Sequence, residues 1–541
     1  VEFALTAVSE HRAQPCETLR MGAGVRLGDL LGGLSIACDL GFGLPPEEAM
    51  RSCLIATALA RRLGLPESEV SDAYYTALLT HVGCSALSHE TVAAWGHDQR
   101  VLRVAARTNV ADPDDIADTL VPAVTAGLNR ADRARVERYA ASPQGQEFGH
   151  RFDTGSCEVA SATARRVGLG PGVQRALSEA VEWWNGQGPP NGLQGEEIAL
   201  PGRIARAAAD AARFDDLGGT EAVVAALKAR SGVILDPAIV EAFTADADEL
   251  LAEARAGDPR DRLLEVEPEP FCEIAATELR QVAVAFGDLA DLKTPWTHGH
   301  SDGVAKLVQA AAKSLRLDAQ SAARLELSAL LGDVGRIAVS NVIWEKPGPL
   351  TAAEWEQARM HSYHSERILA TSDALAPLAR VAGMHHERLD GSGYYRGCQA
   401  RELSPAVRIL AAADAFHAMT QDRPHRPALG AEQAADELRR EVRAGRLDGD
   451  VVAAVVEAAG GPRRRRRDSL RPADLSEREV EVARLVAAGC TNPEIAERLV
   501  ISRRTAEHHV QNIYAKVGVA SRAGLALFAH EHDLIDETQD R

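Results

Sequence analysis

The chain has 541 residues, which at roughly 150 per domain suggests three or four domains. Its 45% apolar and 26% charged content is globular, and 4% aromatic residues among abundant Ala, Leu, Val, Arg and Glu favour helices around an aliphatic core. No apolar run reaches the roughly 18 residues of a membrane span and no basic-then-apolar leader opens the chain, so a cytoplasmic protein without membrane contact is expected. The eight cysteines are scattered with no CxxC pair, which reads as reduced thiols rather than a disulfide scaffold or zinc ribbon. A net charge of -18 speaks against nucleic-acid binding over the whole surface but not against a small local module.

In chain order, residues 1–25 are expected to form a disordered extension, with Met21 as the expected native start. Residues 26–256 form a first helical unit, whose meaning emerges only on comparison with the next. Between 278 and 460 the histidine density rises. His300 opens an amphipathic segment (Val304, Leu307, Ala311, Leu315), and Asp333 lies in ALLGDVGRIAV at the end of an apolar helix. His361 follows a KPGPLT linker, His385-His386-Glu387 ends a further helix, and Asp414 sits within RILAAADAF. Imidazoles and carboxylates from five segments suit one or two divalent ions with mixed nitrogen and oxygen donors. Spacing alone does not decide this, because a lone helical His is more often a surface or core residue.

The combination of LLGDVGRIAVSNVIWEKPGPLTAAEW, HSYHSERIL, HHERLDGSGYYRG and RILAAADAFHAMTQDRPHRPA resembles the HD-GYP family in order and spacing. That resemblance implies an all-helical metal phosphohydrolase, many of whose members hydrolyse cyclic di-GMP. It places His300, Asp333, His361, His385, His386 and Asp414 on metal-ligand positions for a divalent metal such as Fe or Mn. Asp333 and Arg336 fall on its catalytic positions, Asp333 bridging two ions and Arg336 standing where the family has Lys. The Gly-Tyr-Pro loop reads Gly393-Tyr394-Tyr395, and the His before the Asp is Gly332. Glycine offers no donor atom. One site keeps Asp333, His361, His385 and His386, while the other keeps His300, Asp414 and a share of Asp333. A two-metal phosphodiester mechanism needs both ions, so weak or absent hydrolysis with retained metal or nucleotide binding is expected. His298 and His364 are the nearby substitutes in sequence.

The first unit is a worn copy of the second. VEWWNGQGPPNGLQGEEIALPGRI (181–204) aligns without gaps on HERLDGSGYYRGCQARELSPAVRI (386–409), and ALLTHVGC (77–84) on ALLGDVGR (329–336). Glu48 to His81 spans 33 residues, as does His300 to Asp333. Opposite the metal positions stand Glu48, Thr80, His81, Ser156, Ala180, Val181 and Ala209, with Asp210 one residue out of register. Too few donors remain for two metals, so this copy is expected to be non-catalytic, pairing against the second or holding a ligand in a vestigial pocket.

Residues 461–474 form a linker containing five consecutive arginines, 463–467, which suit a phosphate-gripping tether. From Leu475, capping boxes at Ser476 and Thr491, Gly489, Ser502 and Ser521 punctuate four short helices near 476–488, 491–499, 502–516 and 521–531. With Thr505, Val510 and Ile513 turned inward, the third helix presents Arg503, Arg504, Glu507, His508 and Gln511 outward, as a major-groove reader does. LSEREVEVARLVAAGCTNPEIAERLVISRRTAEHHVQNIYAKVGVASRAGL is similar to the LuxR-type helix-turn-helix (475–535), with Ala506 where the family usually has Val. The resemblance implies that Glu507, His508 and Gln511 face bases, that Arg503, Arg504 and Lys516 face phosphates, and that the fourth helix supports dimerisation. From Arg463 onward, 14 basic residues meet 13 acidic ones, so the acidic excess lies upstream.

The expected fold class is therefore all-α: two tandem HD-like units, the first degenerate, and a small four-helix helix-turn-helix domain. The expected function is a homodimeric bacterial regulator that binds double-stranded DNA and senses a nucleotide or cyclic-dinucleotide ligand linked to metal. The competing reading is an active cyclic-dinucleotide phosphodiesterase with a regulatory DNA-binding domain, and the sequence leaves enzyme activity open.

Overall fold

The computed structural model describes residues 24–460 apart from Ala276, together with residues 473, 475–532 and 534. The arginines 463–467 and residues 1–23 of the N-terminal extension lie outside the described residues. The architecture is helical, as expected. The described residues contain one small sheet, Val25–Arg26 paired antiparallel with Glu273–Ile274. The described cysteines are free, most of them buried.

The duplication is visible in individual hydrogen bonds. Asp39 accepts from the amide of Ala49 as Asp291 accepts from that of Ser301. Glu182 accepts from the amides of Asn191 and Leu193, and Glu387 from those of Arg396 and Cys398. The bridge Asn185–Gln194 repeats as Asp390–Gln399, and the ion pair Arg203–Asp236 as Arg408–Asp448. Buried carboxylates holding loop amides are costly unless fully satisfied, and both copies meet that cost with the same acceptors.

The two halves pack reciprocally. Helix Leu27–Phe42 of the first lies on the turn Val334–Ala338 and helix Ala352–Thr371 of the second. Helix Leu279–Leu292 of the second lies on the turn Cys84–Leu87 and helix Pro143–Arg166 of the first. The approach is close: a Cβ on Gly41 would fall 2.5 Å from Ile337 Cγ2. A buried ion pair pins the seam, with Lys293 Nζ 3.3 Å from Asp98 Oδ2, which also accepts from the amide of Asn341 at 3.0 Å. One continuous apolar cluster runs from Leu27 to Leu534.

The C-terminal helices are Glu477–Ala487, Asn492–Arg498, Arg503–Val517 and Arg522–Glu531, with capping boxes at Ser476 and Thr491 and Gly489 at φ 82°. Thr505 departs from expectation. It is exposed, and Ala506 takes the inward position against Val510 and Ile513. Thr505 sits in the first turn, where its amide is capped by the Ser502 hydroxyl at 3.0 Å. The fourth helix packs on Pro143–Arg166 and Leu279–Leu292, so this module rests on both halves.

Candidate functional site

Five elements converge in the second half. His300 begins helix His300–Ser314, and Asp333 stands in the turn after helix Ala319–Leu330. His361 lies within Ala352–Thr371, His385 and His386 follow Ala376–Gly383, and Asp414 lies within Pro405–Met419. Gly335 sets the spacing, since a Cβ there would fall 2.1 Å from the His361 carbonyl oxygen. Asp333 Oδ1 is 3.3 Å from His361 Nε2 and 3.4 Å from His385 Nε2. His361 Nε2 in turn lies 3.1 Å from His386 Nε2 and 3.3 Å from His385 Nε2. On the other side, His300 Nε2 is 3.0 Å from Asp414 Oδ1 and 3.6 Å from Asp333 Oδ2. Two donor groups result: Asp333, His361, His385 and His386, and His300, Asp333 and Asp414.

The donor chemistry fits a divalent cation. His361 Nδ1 donates to the Ala358 carbonyl at 2.6 Å and His385 Nδ1 to the Ala382 carbonyl, which fixes both tautomers with the Nε2 lone pair aimed at the centre. Asp333 Oδ1 is buried and receives no hydrogen bond from the described residues. Lone pairs so crowded repel one another unless a cation lies among them. Burial would raise the Asp333 carboxyl, but Arg336 and the imidazoles of His361 and His385 hold it well below the usual carboxylate range. Asp414 is likewise buried, yet His386 and His300 keep its pKa low. Burial, then the neighbouring His385, lowers His386, leaving it a neutral donor.

Around this centre, Gly332 carries no donor, and a Cβ there would lie 3.1 Å from the Ser328 carbonyl oxygen. His298 does not stand in for it. Its Nδ1 donates to the Ala487 carbonyl in the C-terminal module. His364 lies outside both donor groups. Arg336 Nη1 is 3.9 Å from Asp333 Oδ2, and its guanidinium lies over the Trp344 ring at 4.1 Å. Sequence reasoning missed His417, whose Nδ1 is 3.1 Å from His300 Nδ1, and Gln421, whose amide oxygen is 2.8 Å from that same atom. The signal was available, because His417 follows Asp414 by three residues and shares its helix face.

The first half reaches a different solution at the equivalent place. Arg213 Nη1 donates to Asp210 Oδ1 at 3.0 Å, its Nε lies 3.3 Å from Glu48 Oε1, and its Nη2 is 3.1 Å from His81 Nε2. A guanidinium thus occupies the middle of the three remaining donors. Burial, then Arg213, pushes His81 down to about 3, so its imidazole is neutral.

On the third C-terminal helix, Arg503, Arg504, His508 and Gln511 are exposed and Glu507 is partly so. Arg503 Nε donates to Glu507 Oε1 at 2.9 Å. Lys516 is turned back onto Glu479 at 2.7 Å.

Comparison with known proteins agrees with these features. The HD domain family matches residues 285–451, and the family of bacterial regulatory proteins of luxR type matches 473–529. A 3'3'-cGAMP-specific phosphodiesterase 3 of Vibrio cholerae is 31% identical over 411 residues, 75% of this chain and 89% of that protein. A cyclic di-GMP phosphodiesterase of Thermotoga maritima is 34% identical over 178 residues, 32% of this chain and 48% of its own. The crystal structure of a cyclic GMP-AMP specific phosphodiesterase from Vibrio cholerae superposes with a TM-score of 0.55 at 27% identity, covering 81% of this chain and 98% of that one. Phosphodiesterases of the HD domain depend on divalent metal, and the His/Asp cluster described above is a donor set of that kind. No helix of the described residues is long and apolar enough to cross a membrane. The chain belongs to the HD-GYP type of HD-domain protein, present as a tandem pair with a degenerate first copy and joined to a C-terminal LuxR-type helix-turn-helix domain.

Proposed function

We propose that the chain is a DNA-binding transcriptional regulator whose second HD copy holds a divalent metal and a phosphate-bearing ligand, a cyclic dinucleotide above all, with little hydrolysis. The observation that carries this reading is the contrast between an exposed recognition face, Arg503, Arg504, His508 and Gln511, and a metal centre lacking a donor at Gly332. Asp333, His361, His385 and His386 would hold one ion, and His300, Asp333 and Asp414 a weaker one. Bound metal supplies Lewis-acid polarisation of a phosphoryl oxygen. Arg336, stacked and oriented by Trp344, offers a fork for phosphate.

The C-terminal module rests on both HD copies, so a ligand that favours one arrangement of the pair also favours one presentation of the DNA-reading helices on paired half-sites. The intact chain should therefore bind a selected duplex with a steep salt dependence. Joint replacement of Arg503, Arg504 and Gln511 by Ala should abolish sequence preference. Undiminished binding by that triple variant would remove the assigned face.

A second reading has its own support. Tautomers fixed for metal and relatives that are cyclic-dinucleotide phosphodiesterases favour an active enzyme localised by its DNA domain. Brisk turnover of 3'3'-cGAMP or cyclic di-GMP by the Mn-loaded protein would establish that reading over the first.

A further inference from the structure

The first HD copy carries a cavity of about 550 Å3 next to its guanidinium-filled centre. His81 and Ser156 are 75 residues apart where their counterparts Asp333 and His361 are 28 apart, and the extra chain forms the cavity's roof. Trp95, Leu102, Ile116 and Leu120 of this insertion face Phe148 and Phe152 of helix Pro143–Arg166, while His81, Asp210 and Arg213 form the floor. The roof includes a π-helical turn, Ile116–Leu120, a wide turn that recurs at functional sites.

The size is that of a small-molecule pocket and the walls are mainly apolar. Its charge is concentrated at one end. Arg213 is engaged by Glu48 and Asp210, and Arg230 Nε lies 3.5 Å from Asp210 Oδ2. Arg206 also lines the cavity but has no hydrogen bond or ion pair among the described residues. Burial lifts Asp153, which also lines the cavity, to about 6 with Arg206 opposing, and it makes no ion pair among the described residues. Ser156 adds a buried hydroxyl without a hydrogen-bond partner. A cyclic dinucleotide, with two phosphates and two polar bases, meets here, among the described residues, a single arginine outside an ion pair.

We propose that this cavity binds a monoanion with an apolar body, a fatty or aromatic carboxylic acid, its carboxylate on Arg206 and its body among Trp95, Phe148 and Phe152. Helix Pro143–Arg166 then reports the occupant. One face carries Phe148, Phe152 and Ser156 into the cavity. The opposite face carries Glu158, which accepts from the amide of Ala520 and the hydroxyl of Ser521, and at the C-terminal end of the helix Arg166 is 3.7 Å from Glu531. Those contacts hold the fourth helix of the DNA domain. This coupling rests on the regulator reading, whereas the ligand site does not.

Full-length protein titrated with anilinonaphthalene sulfonate should show a saturable site from which dodecanoate or naphthoate displaces the dye. Displacement by only one of the two identifies the body as aliphatic or aromatic. Arg206→Ala should weaken the acid roughly tenfold or more, the loss of a charge-assisted hydrogen bond. Ala160→Phe, which fills the cavity from helix Pro143–Arg166, should remove the site. If that variant does not fold, Arg206→Ala carries the test. No displacement by either acid, an acid affinity unchanged in Arg206→Ala, or displacement by cyclic di-GMP instead overturns the ligand assignment. The bound acid should also change the affinity of the intact chain for DNA several-fold, and Glu158→Gln should shrink that change. Acid binding with no DNA response overturns the coupling alone. Absence of DNA binding altogether overturns the regulator reading and the coupling but leaves the ligand site standing.

Discussion

Replacing Arg213 by Ala removes the cation around which the polar centre of the first HD copy is built. The guanidinium is 5% exposed, and the carboxylates it serves, Glu48 and Asp210, are 2% and 3% exposed. Asp210 keeps Arg230 at 3.5 Å, but Glu48 loses the cation 3.3 Å away, and His81 loses its neighbour at 3.1 Å. Breaking a buried pair by removing one partner costs about 3–5 kcal/mol, because the stranded charge stays desolvated. At about 2–4 °C per kcal/mol for a unit of this size, the thermal midpoint should fall by roughly 6–20 °C. Scanning calorimetry on the full chain reads the shift. Adding Glu48→Gln to Arg213→Ala should recover part of it by neutralising the stranded group. A drop below about 2 °C, or a double variant less stable than the single one, would refute the idea that a guanidinium holds this centre together.

Other outcomes follow from the same structure. Gly332→His should raise bound metal from a single ion towards a pair and increase cyclic-dinucleotide turnover, since its Cβ meets only the Ser328 and Ala329 carbonyl oxygens, at 3.1 and 3.6 Å. Unchanged metal content by mass spectrometry would show that this position does not limit the site. Manganese at about a hundred times its dissociation constant should stabilise the protein by about 2.7 kcal/mol, and His361→Ala should abolish the gain. Identical melting with manganese and with a chelator would count against the metal centre. Lys293→Met should cost about 3–5 kcal/mol by stranding Asp98 in the seam between the copies, and Asp98→Asn on top should restore much of it. An unfolding trace insensitive to Lys293→Met would mean that the seam is held elsewhere.

The helical class, the repeat and the short C-terminal helices were legible because local signals encode them. Caps at Ser476, Thr491, Ser502 and Ser521 and the ungapped match of 181–204 with 386–409 have direct counterparts in hydrogen bonds. Convergence of His300, Asp333, His361, His385, His386 and Asp414 was legible only through resemblance, since no periodicity links residues so far apart. Arg213 escaped notice because an arginine three residues after Asp210 on an amphipathic helix looks like a solvated charge until the fold closes over it. The reciprocal seating of the two copies and the cavity under the insertion depend on long-range packing, which composition and spacing do not carry. Thr505 was misplaced by one residue of helical phase: a capped first turn lets it face out while Ala506 faces in.

On the proposed function, ligand state in the HD pair controls DNA recognition without rapid consumption of the ligand. The most direct test is fluorescence anisotropy of the intact chain on a duplex selected from random sequence, with and without manganese and 3'3'-cGAMP or cyclic di-GMP, while nucleotide integrity is followed by chromatography. DNA affinity should change by about 5- to 150-fold, the range of a coupling of about 1–3 kcal/mol, with the nucleotide intact at the end of the titration. Rapid loss of the nucleotide with no change in DNA affinity would contradict that function.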